Sequence, residues 1–542
     1  MEDDPTCEDI ILVADADDAK SNDSTGPPSE DAVEMECMDT RCGYEDALMM
    51  DAEVMATTAR LGLPLWATVV ADLAHTLIPG ESILKSGRPL NMFHDCMGIG
   101  GSAEGWRWLR AAGVVLSAPI TQAACEMDPA ARVFVLNAHP WPHVFVENMC
   151  DRVDGRSRDI LTDSLVQVPS SDLYECGFPC QPFSCRRCSK TKIFAEEKAK
   201  PYYQVLEEIK SGRHHALMLE NVMGCYTRYL SMDGRVRRVI DIIEEDLRQA
   251  SQHNYFICIT PDVSPHRFGE LCHRPRVIFR LLRKSRALVS SDGEFCKRLH
   301  EIDSIVATRC AERAARQPAH QSFTKYLEHL GISPIDVDME EEPEVAAATP
   351  CPCTQAIRAE SPMCITHKCK CRECAKQPPQ PCVWRKKHAP YWLKYGRFHT
   401  GSYIARAAAR QLPVHITFRS SRQLNMAEIA ACHVLSLGQT VWTSDAVYDS
   451  TQNVGFWALR ADGLLPTITT AANLVVLRWG RSLTPLELFA LMGFPLPLAR
   501  WADGLFSQTE LRRFIGNTVH PCVAAISSFG LLSLMKAERM YG

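Results

Sequence analysis

The chain has 542 residues, 46% hydrophobic and 23% charged, with a net charge of −6 at pH 7 and 24 cysteines. Length suggests about three to four domains of an ordinary globular protein. No apolar run reaches the ~18 residues of a membrane span, and the acidic start MEDDPTCEDI lacks the basic-then-apolar order of a signal peptide. A reducing compartment is therefore expected, with thiols as free groups, metal ligands or catalysts and not as a disulfide framework.

Residues 1–50 hold sixteen Asp/Glu against two Lys/Arg, a balance of −14 that leaves +8 for the remainder. They read as a solvated, disordered tail, and the mildly basic remainder admits a polyanion partner. Residues 51–80 carry apolar positions at helical spacing and stop at Pro79-Gly80. NMFHDCMGIGGSAEGWRWLRAAG then reads as strand, glycine turn, and a helix over 102–112 closed by Gly113. VVLSAPI and AACEMD read as strands, followed by strand 173–178, helix 202–210, strand 215–219, helix 235–250, and strands 255–260 and 276–282. Such alternation predicts an α/β domain with a mostly parallel sheet. A helical stretch over about 295–330 follows, then the acidic run DMEEEPEVAAATP, a Cys-rich segment and a basic one. A strand near 465–477 and helices over 485–492 and 521–534 close the chain. The expected organisation is a tail at 1–50, a first catalytic part at 51–285, an insert at 286–455 and a closing part at 456–542.

Three stretches carry chemistry. Gly98, Gly100 and Gly101 sit between a strand and a helix, where glycine lets backbone approach a ligand at a helix N-terminus. Glu126, 25 residues on, closes the next strand and can accept hydrogen bonds from ribose hydroxyls. No Lys-Ser/Thr follows the turn, which favours a nucleoside pocket over a phosphate cradle. Cys180, in GFPCQPFS at 177–184, has two readings: a packed thiol, or a nucleophile on a loop after a strand.

Taken in order, the motifs resemble the cytosine-5 DNA methyltransferase family. MGIGG at 97–101 looks like the S-adenosylmethionine turn, CEMD at 125–128 the second motif, and GFPCQPFS the nucleophile motif. LENVMG at 219–224, HRPRVIF at 273–279, RSLTPLELFALMGFP at 481–495 and GNTVHPCVA at 516–524 look like the remaining ones. The resemblance implies a Rossmann-like, S-adenosylmethionine-dependent methyltransferase domain carrying a large inserted target-recognition domain. It implies a nucleus-located enzyme acting on double-stranded DNA, with no membrane partner. It also assigns roles: Cys180 as nucleophile towards cytosine C6, Glu220 as the acid at N3 in a sheltered site, Arg276 as the base-orienting arginine with Arg274 its partner, and Gln181 and Asn221 beside them. Gly98, Gly100, Gly101, Glu126, Met127, Asn148, Asp151, Pro179, Asn517 and Val519 are the residues implied for the cofactor. Two alternatives remain: the same chemistry on tRNA, and a catalytically silent DNA-binding relative.

The insert is the expected reader of DNA, since a base inside a duplex must be flipped out and its strands held. Residues 361–422 hold thirteen Lys/Arg, one acid (Glu373) and interleaved aromatics such as Trp384, Tyr391 and Trp392. Cys364, Cys369, Cys371 and Cys374, among seven cysteines in 351–382, are candidate ligands for a structural zinc. Departures from the family pattern are Cys272 for Gln, Cys96 for a Phe that would stack on adenine, Leu486 for Arg, and Asp151 as a displaced acid beside Asn148 and Cys150. These bear on cofactor affinity and packing and leave nucleophile, acid and arginine intact.

Overall fold

The computed structural model describes residues 62–183, 194, 197–230, 236–332, 421–439, 444–452, 459–479 and 481–538, with 49–50, 52–54 and 56. The zinc-ligand candidates Cys364, Cys369, Cys371 and Cys374, nearly all of the basic segment and residues 1–48 of the acidic tail lie outside these residues.

The chain opens with α1 (Leu65–Leu77) and then alternates β1 (Asn91–Asp95), α2 (Gly101–Ala111), β2 (Ile120–Cys125), α3 (Pro129–Ala138) and β3 (Val144–Val146). A small antiparallel pair, β4 (Arg156–Asp159) and β5 (Ser164–Gln167), precedes β6 (Ser171–Cys176). Next come α4 (Lys200–Ser211), β7 (His214–Val222), the pair β8 (Arg228–Leu230) and β9 (Val236–Arg238), α5 (Val239–Ser251), β10 (Tyr255–Val263) and β11 (Arg276–Arg283). A seven-stranded sheet takes the order β10-β11-β7-β6-β1-β2-β3. From β3 to β7 neighbouring strands are parallel, as expected of α/β alternation; β11 runs antiparallel to both β7 and β10. The cause lies in the connection. Only a 3-10 turn (Pro265–Phe268) lies between β10 and β11, so there is no crossover helix to carry the chain back for parallel pairing.

Both faces of the sheet are covered, which is why β6 is buried at all six positions and β11 at seven of eight. On one face α1, α2 and α6 (Asp292–Ala314) pack with α12 (Pro521–Ser533) over Met92, Leu173, Ala216, Met218 and Ile278. On the other, α4 and α5 cover Phe93, Tyr174, Leu217, Val277 and Phe279. Every residue of α12 is buried, so it is a core helix without a polar side. The stretch Gln508–Ser533, which contains it, reaches the length and mean hydropathy of a membrane span by composition only, and it is no clear transmembrane segment, as the sequence led one to expect. Its apolar window is 83% buried within the protein, where it serves as core.

A second lobe joins α7 (Phe323–His329), α9 (Pro485–Leu491), α10 (Leu496–Leu505) and α11 (Gln508–Asn517) around Phe134 of α3. A four-stranded antiparallel sheet, β12 (Val447–Asp449), β13 (Leu459–Arg460), β14 (Leu474–Val476) and β15 (Arg481–Ser482), packs against α8 (Ser421–Ser436). α6, past residue 285, thus packs on the main sheet, and β12 pairs with β14 across residue 455.

Two local differences from the expected elements have clear reasons. VVLSAPI is not a strand before Ile120, because Val114 closes α2: with Gly113 at φ +73°, Gly113 N donates to Arg110 O and Val114 N to Leu109 O. α3 was not expected, yet Asp128 caps it by accepting from Ala130 N and Ala131 N, with Pro129 in its first turn.

Candidate active site

The parallel strands end together, and the loops leaving them bring the candidate residues to one rim of the sheet. Gly98 and Gly100 adopt φ of +57° and +80°, backbone that a β-carbon would strain. Gly98 N donates to Glu126 Oε2 at 2.7 Å and Asp128 N to Oε1 at 2.8 Å, which fixes the carboxylate at the end of β2. Burial pushes the Glu126 carboxyl up, against those two bonds. Gly101 is demanded by close approach: a β-carbon there would lie 2.1 Å from Val519 O and 2.7 Å from Thr518 Oγ1. At Gly100 it would lie 2.4 Å from His139 Nε2. That imidazole bonds Ile99 O at 3.0 Å, and burial, aided by Arg107, lowers it to about 3, so it is neutral. Glycine turn, α2 and the loop carrying Val519 therefore form one close-packed unit.

Asn148 and Asp151 flank a 3-10 turn at Met149–Asp151, where Asn148 Oδ1 accepts from Cys150 N at 3.0 Å and Asn148 Nδ2 donates to Asp151 Oδ1 at 3.3 Å. The next residue, Arg152, ties this turn to β1. Its guanidinium reaches both oxygens of Asp95, and Glu208 Oε1 at 3.2 Å, with all three side chains at 1% exposure or less. Tyr174 donates to Asp95 Oδ2 at 2.7 Å, while Arg213 and His214 meet Glu208 Oε2 at 2.6 and 3.2 Å. Nothing in local sequence announced this buried ion network. A second one joins His94, Ser102 and Ser528 to Glu175, inside the sheet and under α12. Cys96, in place of an aromatic ring, has φ +51° and its thiol contacts Met149 Sδ at 3.7 Å.

The candidate nucleophile follows β6. Cys180 is half-buried, Pro179 likewise, and Gln181 is exposed at the start of a 3-10 turn held by Phe183 N donating to Cys180 O at 2.9 Å. The rings of Phe183, Phe178, Phe194 and Tyr202 clamp this loop onto α4. Glu220 and Asn221 come from the end of β7, Arg274 and Arg276 from the start of β11. The pairing of Val222 with Arg276 puts Glu220 diagonal to the arginine. Arg276 Nε meets Glu220 Oε1 at 2.5 Å, with side chains 10% and 14% exposed. Burial and the Glu220 charge push the Cys180 thiol up, outweighing the opposite pull of Arg276 and Arg274. The free thiol is therefore protonated at neutral pH, not the activated thiolate that nearby cations alone would give.

Arg274 and Asn221 have structural partners. The Arg274 guanidinium, 3% exposed, donates to Ile468 O (2.8 Å), Gly516 O (2.8 Å) and Thr518 O (2.9 Å). Burial lowers it to about 10 without neutralising it near pH 7. Asn221 Nδ2 donates to Phe178 O at 3.1 Å, bracing the loop before Cys180. Sequence reasoning missed Ser264, whose hydroxyl accepts from Arg274 N at 3.0 Å, and Thr518. Among the cofactor candidates Met127 is 69% exposed beside Glu126, Asn517 is exposed at the end of α11 and Val519 is half-buried. These groups suit S-adenosylmethionine: a carboxylate for hydroxyls, an exposed apolar side chain, amide and acid at the next strand end, and a turn without β-carbons. Among the described residues no group of three or more His, Cys, Asp and Glu could hold a metal ion.

A mixed sheet with a parallel core, a glycine turn after β1 and an acid after β2 define a Rossmann-like fold with a nucleoside-cofactor rim. Residues 98–326, less than half of the chain, match the model of the C-5 cytosine-specific DNA methylase family. No curated protein matches the chain. Solved structures that it resembles include a Dnmt2 methyltransferase of S. pombe, at 12% identity and TM-score 0.37, covering 82% of this chain and 98% of that one. A putative DNA modification methyltransferase from an E. coli prophage aligns at 15% identity and TM-score 0.41, over 82% and 99%. The methyltransferase EhMeth of Entamoeba histolytica aligns at 12% and 0.37, over 82% and 98%.

Proposed function

We propose that the protein methylates C5 of cytosine in double-stranded DNA through a transient bond between Cys180 and C6 of a flipped base. The observation that supports this best is the ion pair between Glu220 and Arg276 at 2.5 Å, in electrostatic contact with the Cys180 thiol. Cytosine C5 is a weak nucleophile, and adding a thiolate at C6 makes it enamine-like. As Cys180 attacks, its proton passes to the Glu220 carboxylate. Glu220 holds N3 and the exocyclic amine and supplies a proton to N3 as the ring gains charge, and Arg276 turns its guanidinium from Glu220 to the base. Bound S-adenosylmethionine, held by Glu126, Met127, Asn148 and Asp151, supplies an electrophilic methyl group. Water then takes the C5 proton, the C5–C6 double bond re-forms, and Cys180 leaves as a thiolate that regains, through Glu220, the proton from N3. Arg274 and Asn221 position the loops that carry these groups. Base flipping costs a few kcal/mol, and the basic segment 361–422 is our candidate for meeting it through phosphate contacts. Cys364, Cys369, Cys371 and Cys374 would hold a structural zinc, and a DNA substrate would place the enzyme in a nucleus.

The test is transfer of tritiated methyl to duplex DNA and to tRNA by the full chain and by Cys180→Ala. Label in DNA, lost in the variant while DNA binding persists, is expected. Label in tRNA alone overturns the substrate, and label retained by the variant overturns the covalent route.

A further inference from the structure

A cavity of about 80 Å³ lies away from the candidate active site, between the start of α1, the loop before β11, α7 and the turn joining α9 to α10. Trp108, which helps line it, is seven residues along α2 from Gly101, about 10 Å of helix rise. Glu270 lines the cavity too, is 7% exposed, and its carboxylate has no hydrogen-bond or ion-pair partner among the described residues. A buried, unpaired carboxylate is costly and natural interiors rarely keep one. The titratable groups around it are Tyr326, His320 and His329 on the cavity wall, and Cys272, Cys310 and Cys522 behind it. None is a lysine or arginine. Burial lowers His320, which holds it neutral at pH 7, and raises Tyr326, which keeps its hydroxyl. The rest of the wall is apolar or aromatic: Leu65, Trp108 and Phe494. Trp108 Nε1 is already bonded to Gly493 O at 3.1 Å, so its ring offers a π surface and no donor.

We propose that this cavity binds the end of an alkylammonium compound, with Glu270 as counter-ion, the rings as cation–π partners and the apolar wall receiving the alkyl stem. One carboxylate among rings and methyls lacks the oxygen set that a hard metal cation requires. The same chemistry is offered by a lysine side chain and by a free polyamine. Burial alone raises the Glu270 carboxyl to about 7, so cation binding and proton release are linked. Affinity for a permanent cation then rises about tenfold between pH 6 and 8 and levels off above.

The probe is n-butylammonium, titrated calorimetrically into the full chain, with n-butanol as the neutral control. Saturable binding of the amine alone is expected, with at least a tenfold loss in Glu270→Gln. Repeating the titration at pH 7 in two buffers of different ionisation heat should return about half a proton released per cation, a readout that needs no variant. Spermidine and Nα-acetyl-lysine-N-methylamide run in parallel, and Glu270-dependent binding of either supports the proposal and names the source. Equal binding of butanol, affinity kept within twofold in Glu270→Gln, absence of saturable amine binding, or no proton release overturns it.

Discussion

Gly101→Ala probes the packed unit at the cofactor turn. The added β-carbon would sit 2.1 Å from Val519 O and 2.7 Å from Thr518 Oγ1, where real contacts stay beyond 3.0 Å. Backbone stands on both sides of the nearer contact, so no side chain can swing away. α2 or the 516–519 loop must move by about 0.9 Å to restore even that limit. Overpacking of this kind costs ~1–3 kcal/mol, and the upper end applies because the obstacle is main chain. For a domain of this size, at ~2.1 cal/mol/K of unfolding entropy per residue, that is roughly 1–4 °C in melting temperature. The same shift moves Gly98 N relative to Glu126, so S-adenosylmethionine binding should weaken at least tenfold, while the turnover number at saturating cofactor holds within a few-fold. Thermal melting and calorimetric titration with the cofactor read the two effects. A melt within 1 °C of the parent together with unchanged cofactor affinity would refute the close-packing argument.

Iodoacetamide labelling of Cys180, followed by peptide mapping, should accelerate about tenfold per pH unit from pH 7 to 9, because the thiol is raised and only its deprotonated form reacts; a plateau by pH 8 contradicts this. Glu220→Gln should lower methyl-transfer kcat by about 10²–10⁴, and Arg276→Lys should lower kcat/KM by about 10², both with the fold intact by circular dichroism. Arg152→Met strands Asp95 and Glu208 as buried charges and should cost ~3–5 kcal/mol in urea melts. Glu208 adds an acid limit. Burial works to raise it, but His214, Arg152 and Arg213 hold it down to about 2, below its unfolded value of about 4.5. Its contribution is therefore complete above pH 4.5 and is lost as pH falls towards 2, so acid-titrated Arg152→Met should lose less stability over that interval than the parent does.

Features set by local chemistry were legible in the sequence. The glycine turn reads directly because positive φ and close approach both require glycine, whereas Cys180, Glu220 and Arg276 stood out through the resemblance of their motifs, and the structure sets them at strand ends. Asp128-Pro129 is also a local helix-start signal, a capping acid followed by a first-turn proline. What stayed hidden depends on partners far along the chain. Arg274 bonds carbonyls of Gly516 and Thr518, some 240 residues later, and no motif near Arg274 points to them. The apolar spacing of Phe295, Leu299, Ile302 and Val306 predicts a helix but not that it lies on the main sheet. Likewise, the Cys180 environment is a sum of burial, one carboxylate and two guanidinium groups, and only the assembled rim fixes which contribution is larger.

The wholly buried α12 sets an order of assembly. It covers strands translated about 240 to 440 residues earlier, from β1 to β11. During synthesis those strands leave the ribosome with one apolar face bare, and no earlier helix can substitute at the centre of that face. Such long-range closure is slow and exposes the nascent chain to aggregation. The sheet therefore reaches its native packing only after residue 533 has emerged, and until then one of its apolar faces stays uncovered.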